Sequence, residues 1–271
     1  MRFSFTLWAK VVIARALIRV IAMYGDPLWI LVNVGGPLLT STALAFLYRF
    51  AGLPQFTGFA ILGGGIAAYW GNVLWSMASQ LSWDKRSGML YLYITSPAPL
   101  TALLIGMSLG GILGTLPSSI AVLITGTLLF KPPFSPPTIT LVLIFMLTLV
   151  ALYGMGIALS SLYLFLSREA EEINEALYEP VSFLSGIYFP SIGRSSPLPI
   201  AIQAVAALIP LTIGMDSLRR TVFYAEGLSE LWPNIALLAA MAVTSIYIGL
   251  KMLSYIERRG RETGDILVTL K

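Results

Sequence analysis

The chain has 271 residues, of which 57% are hydrophobic and 11% charged, and its net charge is +4. A water-soluble domain is about 45–50% apolar and about 25% charged, so these proportions exclude an ordinary soluble fold and describe one membrane domain over residues 1–271. Cys and His are absent, which excludes disulfide frameworks, thiol chemistry, His-dependent hydrolases and His/Cys metal sites.

The first segment, Phe3 to Tyr24, interrupts its apolar runs with Lys10, Arg15 and Arg19. It therefore reads as a retained interfacial helix (residues 1–26) rather than a signal peptide or a span. Arg15 and Arg19 share a face by their i,i+4 spacing, whereas Lys10 projects elsewhere. Gly25-Asp26-Pro27 breaks this helix and starts the next, with Asp26 as N-cap and Pro27 at the first helical position.

A spanning helix needs about 20 apolar residues. Five segments meet that length: Leu28 to Tyr48, Gly58 to Gln80, Leu100 to Phe130, Thr138 to Leu166 and Leu231 to Tyr255. A sixth, Ile173 to Pro190, is shorter and begins among carboxylates. Residues 191–230 are too polar and proline-broken to span, although Ile200 to Ile209 is apolar; they read as one or two short helices tucked into the outer leaflet. The fold class is thus an all-α polytopic membrane protein with six transmembrane helices, an N-terminal interfacial helix and short extracellular re-entrant helices. With both termini cytoplasmic, 12 of the 17 Lys and Arg lie inside; Arg49, Lys131, Arg194, Arg219 and Arg220 lie outside. That asymmetry sets the orientation.

Glycines recur inside the spans at Gly63-Gly64-Gly65, at Gly106, Gly110 and Gly114, and at Gly154 and Gly156. Four-residue spacing of small residues lets another helix approach closely, so helix packing is the first reading and a hinge the second. Glu172, Glu175 and Glu179 share one helical face with Arg168, flanked by Glu169 and Glu171. This acidic face reads as a solvated helix end or a second partner contact, and Glu179 is the one acid placed to reach hydrocarbon depth.

The loop after the second span, residues 81–97, is charged at Asp84, Lys85 and Arg86, amphipathic through Gly88 and Leu90, and closed by Ser96-Pro97. A single short helix from Trp83 to Ser96, docking on a cytoplasmic partner, accounts for that pattern. The loop resembles that of the type-2 ABC export permeases, which runs acidic-x-x-x-Gly-Thr-Leu to Ser/Thr-Pro; Asp84, Gly88, Leu90, Ser96 and Pro97 match, and Met89 and Tyr91 depart from it. A second similarity lies at Ser185-Gly186-Ile187-Tyr188-Phe189-Pro190, Leu198-Pro199, Pro210-Leu211-Thr212 and Arg219. The resemblance covers nearly the whole chain. It implies a transmembrane permease subunit of the cell membrane, with Asp84, Lys85, Arg86, Gly88, Leu90, Ser96 and Pro97 at the ATPase-coupling site. Gly186, Phe189, Pro190, Pro210 and Arg219 would form the extracellular cap.

The implied partners are cytoplasmic ABC ATPase subunits, a second permease copy and the lipid bilayer, with no nucleic acid. No G-x-x-x-x-G-K-[ST] phosphate loop occurs in the sequence, so ATP and Mg belong to the partner, the chain needs no cofactor, and it is not by itself an enzyme. The alternative is a secondary transporter or channel driven by an ion gradient, which requires ionisable groups within the spans.

Overall fold

The computed structural model describes residues 5–96, 99–136, 138–166, 170–193 and 195–263, and all regular structure among them is helical. The helices are α1 (Phe5–Tyr24), α2 (Pro27–Phe50), α3 (Thr57–Asn72), α4 (Gln80–Arg86), α5 (Met89–Thr95), α6 (Leu100–Phe130), α7 (Ile139–Leu166), α8 (Ala170–Leu184), α9 (Ile200–Ala206), α10 (Pro210–Tyr224) and α11 (Leu228–Thr263). Four of them, α2, α6, α7 and α11, are each long and apolar enough to cross a membrane.

The second sequence span takes a different form. After α3 the backbone passes through a π-helical stretch, Val73–Ala78, and continues into α4. Dihedrals at Asn72, Val73 and Ser79 stay right-handed helical, so residues 57–86 form one rod, about 45 Å long at 1.5 Å per residue. The π-helical turn leaves the Leu74 carbonyl to the Ser79 hydroxyl, at 3.0 Å.

This rod is the core of the molecule. Tyr69, Trp70, Val73, Leu74, Met77 and Leu81 are all buried along it. Three successive glycines, about 100° apart around the helix, admit three neighbours. A Cβ on Gly63 would strike the Ile187 carbonyl, one on Gly64 would strike Ser41 of α2, and one on Gly65 would sit 3.2 Å from Ser119 of α6.

The Gly106-Gly110-Gly114 stripe on α6 is filled by α1. Added Cβ atoms would lie 2.6 Å from the Val12 carbonyl oxygen at Gly106 and 2.7 Å from that of Ala16 at Gly110, and Met23 covers Gly114. Eleven residues of α1, about 16 Å, thus advance beside eight of α6, about 12 Å, in the same sense. Helix α1 is therefore inclined along α6. Asp26 caps α2 by accepting the Leu28 N–H at 2.9 Å, with Pro27 at the first position, and α2 continues up α6 to the Phe46–Phe130 ring contact at 4.8 Å. Gly154 meets Ile246 of α11, whereas Gly156, two residues on and on the opposite face, meets Val73 and Met77 of the rod.

The sixth sequence segment is shorter than expected: α8 has 15 residues and ends at Leu184, followed by a turn through Pro190. Its carboxylate-rich first half and Pro180 account for the limited length. Residues 191–230 hold α9 and α10, bent 102° to each other, and the start of α11, which opens at Leu228.

A substitution contrast tests the role of the rod. Gly63→Ala meets rigid backbone and should lower the thermal midpoint in detergent by roughly 3–10 °C, from an overpacking cost of about 1–3 kcal/mol. Gly65→Ala meets only the side chains of Ser119 and Leu123 and should shift it by less than about 3 °C. Thermal unfolding followed by size-exclusion chromatography reads both.

Candidate functional site

The single helix expected from Trp83 to Ser96 is broken in two: its front belongs to α4 at the end of the rod, and α5 follows as a separate helix. Gly88 takes φ 79°, a left-handed turn that ends the rod and redirects the chain into α5. A Cβ at Gly88 would meet nothing within 4 Å, so backbone conformation and not space calls for glycine.

Asp84 points inward. It is buried, pairs with Arg15 of α1 at 3.5 Å and accepts from the Gln80 amide at 2.8 Å. Burial raises its pKa, and the Gln80 hydrogen bond and the Arg15 and Arg19 charges oppose that rise. Leu90 is also buried. Lys85 is half-buried, Gly88 exposed, and Ser96 ends α5 with its N–H on the Leu92 carbonyl at 3.1 Å. Pro97 lies outside the described residues.

The exposed side of α5 instead presents Met89, Tyr91 and Leu92, each about half exposed. Sequence reasoning treated Met89 and Tyr91 only as departures from a pattern. The available signal was their apolar character at i and i+2 inside a charged loop.

Arg15 and Arg19 share a face, and that face is turned into the protein. The Arg15 guanidinium lies over the Tyr93 ring, 5.6 Å from its centre, and Arg19 donates to Gln80 Oε1 at 3.5 Å. The Arg15–Arg19 face of α1 is therefore occupied within the chain, while Lys10 is exposed.

On α8, Glu172 and Glu175 are exposed, and Glu179 accepts from the Tyr188 hydroxyl at 2.9 Å. Arg168 and Glu169 lie outside the described residues. The acid that reaches the 81–97 segment is Glu171, which sequence reasoning placed only at the flank. It accepts from Arg86 at 2.5 Å and from the Trp83 indole at 3.1 Å, and these bonds hold its pKa below the usual glutamate value. Deeper on the same helix, the Asn174 amide donates to Ser79 at 2.5 Å.

At the opposite end of the rod, the Ser185–Pro190 turn and α10 are joined by Arg219. This buried arginine donates to the carbonyls of Gly186 and Phe189 and lies over the Phe59 ring, 5.0 Å from its centre. Gly186 has φ 78°, and a Cβ there would press on Arg219 and Ser191. Phe189 packs edge-on against Phe183 at 4.8 Å. Pro190 and Pro210 are buried, the latter opening α10. The five cap residues proposed from sequence thus lie on the turn and on α10, and the carbonyls of two of them, Gly186 and Phe189, meet the guanidinium of a third, Arg219. Arg194 lies outside the described residues.

Between the two ends, a cavity of about 400 Å³ opens among α1, α2, α3, α6 and α8. Its wall on the rod is Gly64, Ala67, Ala68 and Gly71, small residues on one helical face, with Trp75 below them.

Two outcomes follow from this geometry. Arg219→Met strands two carbonyl acceptors and should lower stability by about 1.5–3 kcal/mol, measured as a shift in the thermal midpoint, with Arg219→Lys between it and the parent. Because the folded pKa of Glu171 is depressed, its tie to Arg86 and Trp83 is fully formed above the unfolded glutamate pKa. It is lost as pH falls through the lower folded value. Trp83 emission should change across that acid window, and Glu171→Gln should abolish the change.

A comparison with curated proteins found no match. A family model described as ABC-2 type transporter matches residues 10–223, from within α1 through the two-helix segment to α10. Helical architecture, the apolar spans and that match agree, and the chain belongs to the ABC-2 type transporter family.

Proposed function

We propose that the chain is the membrane subunit of an ATP-binding cassette exporter, seated in the cell membrane with six spans and both termini cytoplasmic. Residues 58–80 of the rod serve as the second span and residues 173–190 as the fifth, while α9 and α10 form the outer cap. Two copies of the permease pair with two cytoplasmic ATPase subunits, which hold ATP and Mg.

One observation carries this reading. The exposed apolar surface of α5 hangs, through the Gly88 turn, from a rod that runs uninterrupted into the buried core. Force applied at Met89, Tyr91 and Leu92 reaches α1 through Asp84–Arg15 and α8 through Arg86–Glu171. A two-state membrane assembly driven by ATP requires such a stiff connection, because each state must present the ATPase with a different surface. The partner contact is thus the face of α5, and Asp84 acts as an internal strut behind it.

Purification of the tagged chain from its native membrane is expected to bring a nucleotide-binding ATPase with it. Leu92→Asp should remove the ATPase while the permease stays monodisperse and keeps its thermal midpoint. Gly88→Val, forced into a left-handed conformation that costs roughly 1–2 kcal/mol, should retain the ATPase but alter its hydrolysis rate in the complex. Absence of any copurifying ATPase would overturn the reading.

A further inference from the structure

The cavity between α2, α3 and α8 has one charged wall residue, Arg19. Around it lie Trp29, Trp75 and Tyr178, with Asn33 and Asn72 as amides. Its 400 Å³ falls within the roughly 300–1,000 Å³ of small-molecule sites.

Arg19 is half-buried, and its hydrogen bond to the neutral Gln80 amide is long at 3.5 Å. Among the described residues it makes no ion pair: the nearby carboxylate, Asp84, is taken by Arg15 at 3.5 Å and by Gln80 at 2.8 Å. Two arginines thus face one carboxylate, leaving net positive charge at this end of a space otherwise lined by apolar and uncharged polar residues. The Asn72 carbonyl is occupied by the Tyr153 hydroxyl at 2.8 Å, so the amides add little counter-charge. A planar guanidinium with no ion pair among the described residues, on the wall of a cavity that Trp29 and Trp75 also line, suits a phosphate, sulfate or carboxylate head with an apolar tail.

We propose that this cavity binds an anionic amphiphile, its head group at Arg19 and its apolar body along the Gly64-Ala67-Ala68-Gly71 face toward Trp29 and Tyr178. This rests on the permease reading for its purpose, since it names the chemical class of the transported or regulating ligand. A cationic amphiphile is repelled at the same place. Through Gln80, which bonds both Arg19 and Asp84, the ligand lies two hydrogen bonds from the α4 end of the rod.

The test is binding of dodecyl phosphate to the full chain in neutral maltoside micelles, by equilibrium dialysis. Saturable binding of about one per chain is expected, with Arg19→Gln weakening it at least about tenfold and Arg19→Lys by no more than about threefold. Ala68→Trp, which fills the space without touching the charge, should abolish binding and keeps the proposal testable should Arg19→Gln misfold. Equal binding by wild type and a well-folded Arg19→Gln, or equal competition by dodecyl trimethylammonium, overturns it.

The source of the anion is read in bilayer nanodiscs, using a variant with Trp75 as its single tryptophan. Stronger Arg19-dependent quenching by brominated phosphatidylglycerol than by brominated phosphatidylcholine supports the site and assigns it to a membrane lipid. Equal quenching together with dodecyl phosphate binding supports it and assigns it to a solute. ATPase copurification with Arg19→Gln is scored separately, so loss of ligand binding is distinguishable from failure of the exporter reading.

Discussion

The structure depends on the close approach of neighbouring elements to the Gly63-Gly64-Gly65 level of the central rod. In hydrocarbon no hydrophobic force pushes helices together, so contact must come from dispersion and close fit. Three glycines in a row place three partners at once, the Ile187 turn, α2 and α6, each within reach of the rod's own surface. The α6 stripe repeats the device for α1. A side chain at Gly63, Gly106 or Gly110 would strike the backbone of the neighbouring element, whereas at Gly64, Gly65 and Gly114 it would meet side chains.

Polar ties then fix the two ends of the rod. At one end Arg219 satisfies carbonyls of a turn that leaves regular helix, which is the condition for irregular backbone near a membrane. At the other end Asp84, Gln80, Arg15 and Arg19 form a chain of contacts between the rod and α1, while Glu171 reaches across from α8. Between the ends the rod is tied to α7 by the Tyr153–Asn72 hydrogen bond and to α8 by Trp70–Tyr178 and Asn174–Ser79. Motion at one end of the rod is therefore shared with α7 and α8.

Much of this was legible from residue order. Apolar length marked α2, α6 and α7 to within two residues at each end but α11 less closely, since its polar last turns run on to Thr263, and Asp26-Pro27 marked the start of α2 by local capping chemistry. The Gly106-Gly110-Gly114 spacing announced a close neighbour, though not that the neighbour is α1. The inward turn of Asp84 was not legible, because its burial depends on α1, more than sixty residues earlier. Glu171 was passed over because Arg86 and Trp83 lie on a different segment. The break at Gly88 was missed because an amphipathic pattern continues across it, and only φ distinguishes a turn there from a helix.

What the sequence alone determined is therefore the class of the protein and the position of its apolar helices, since transfer into hydrocarbon is a property of each segment by itself. Which charges face each other, where α1 lies and where a cavity remains were decided by tertiary structure. These depend on distances between segments far apart in the chain. Arg15 and Arg19 carry the same sequence signal, four residues apart on one helix, yet one is paired with a carboxylate and the other lines an apolar space. Only the packing of α1 against the rod separates them.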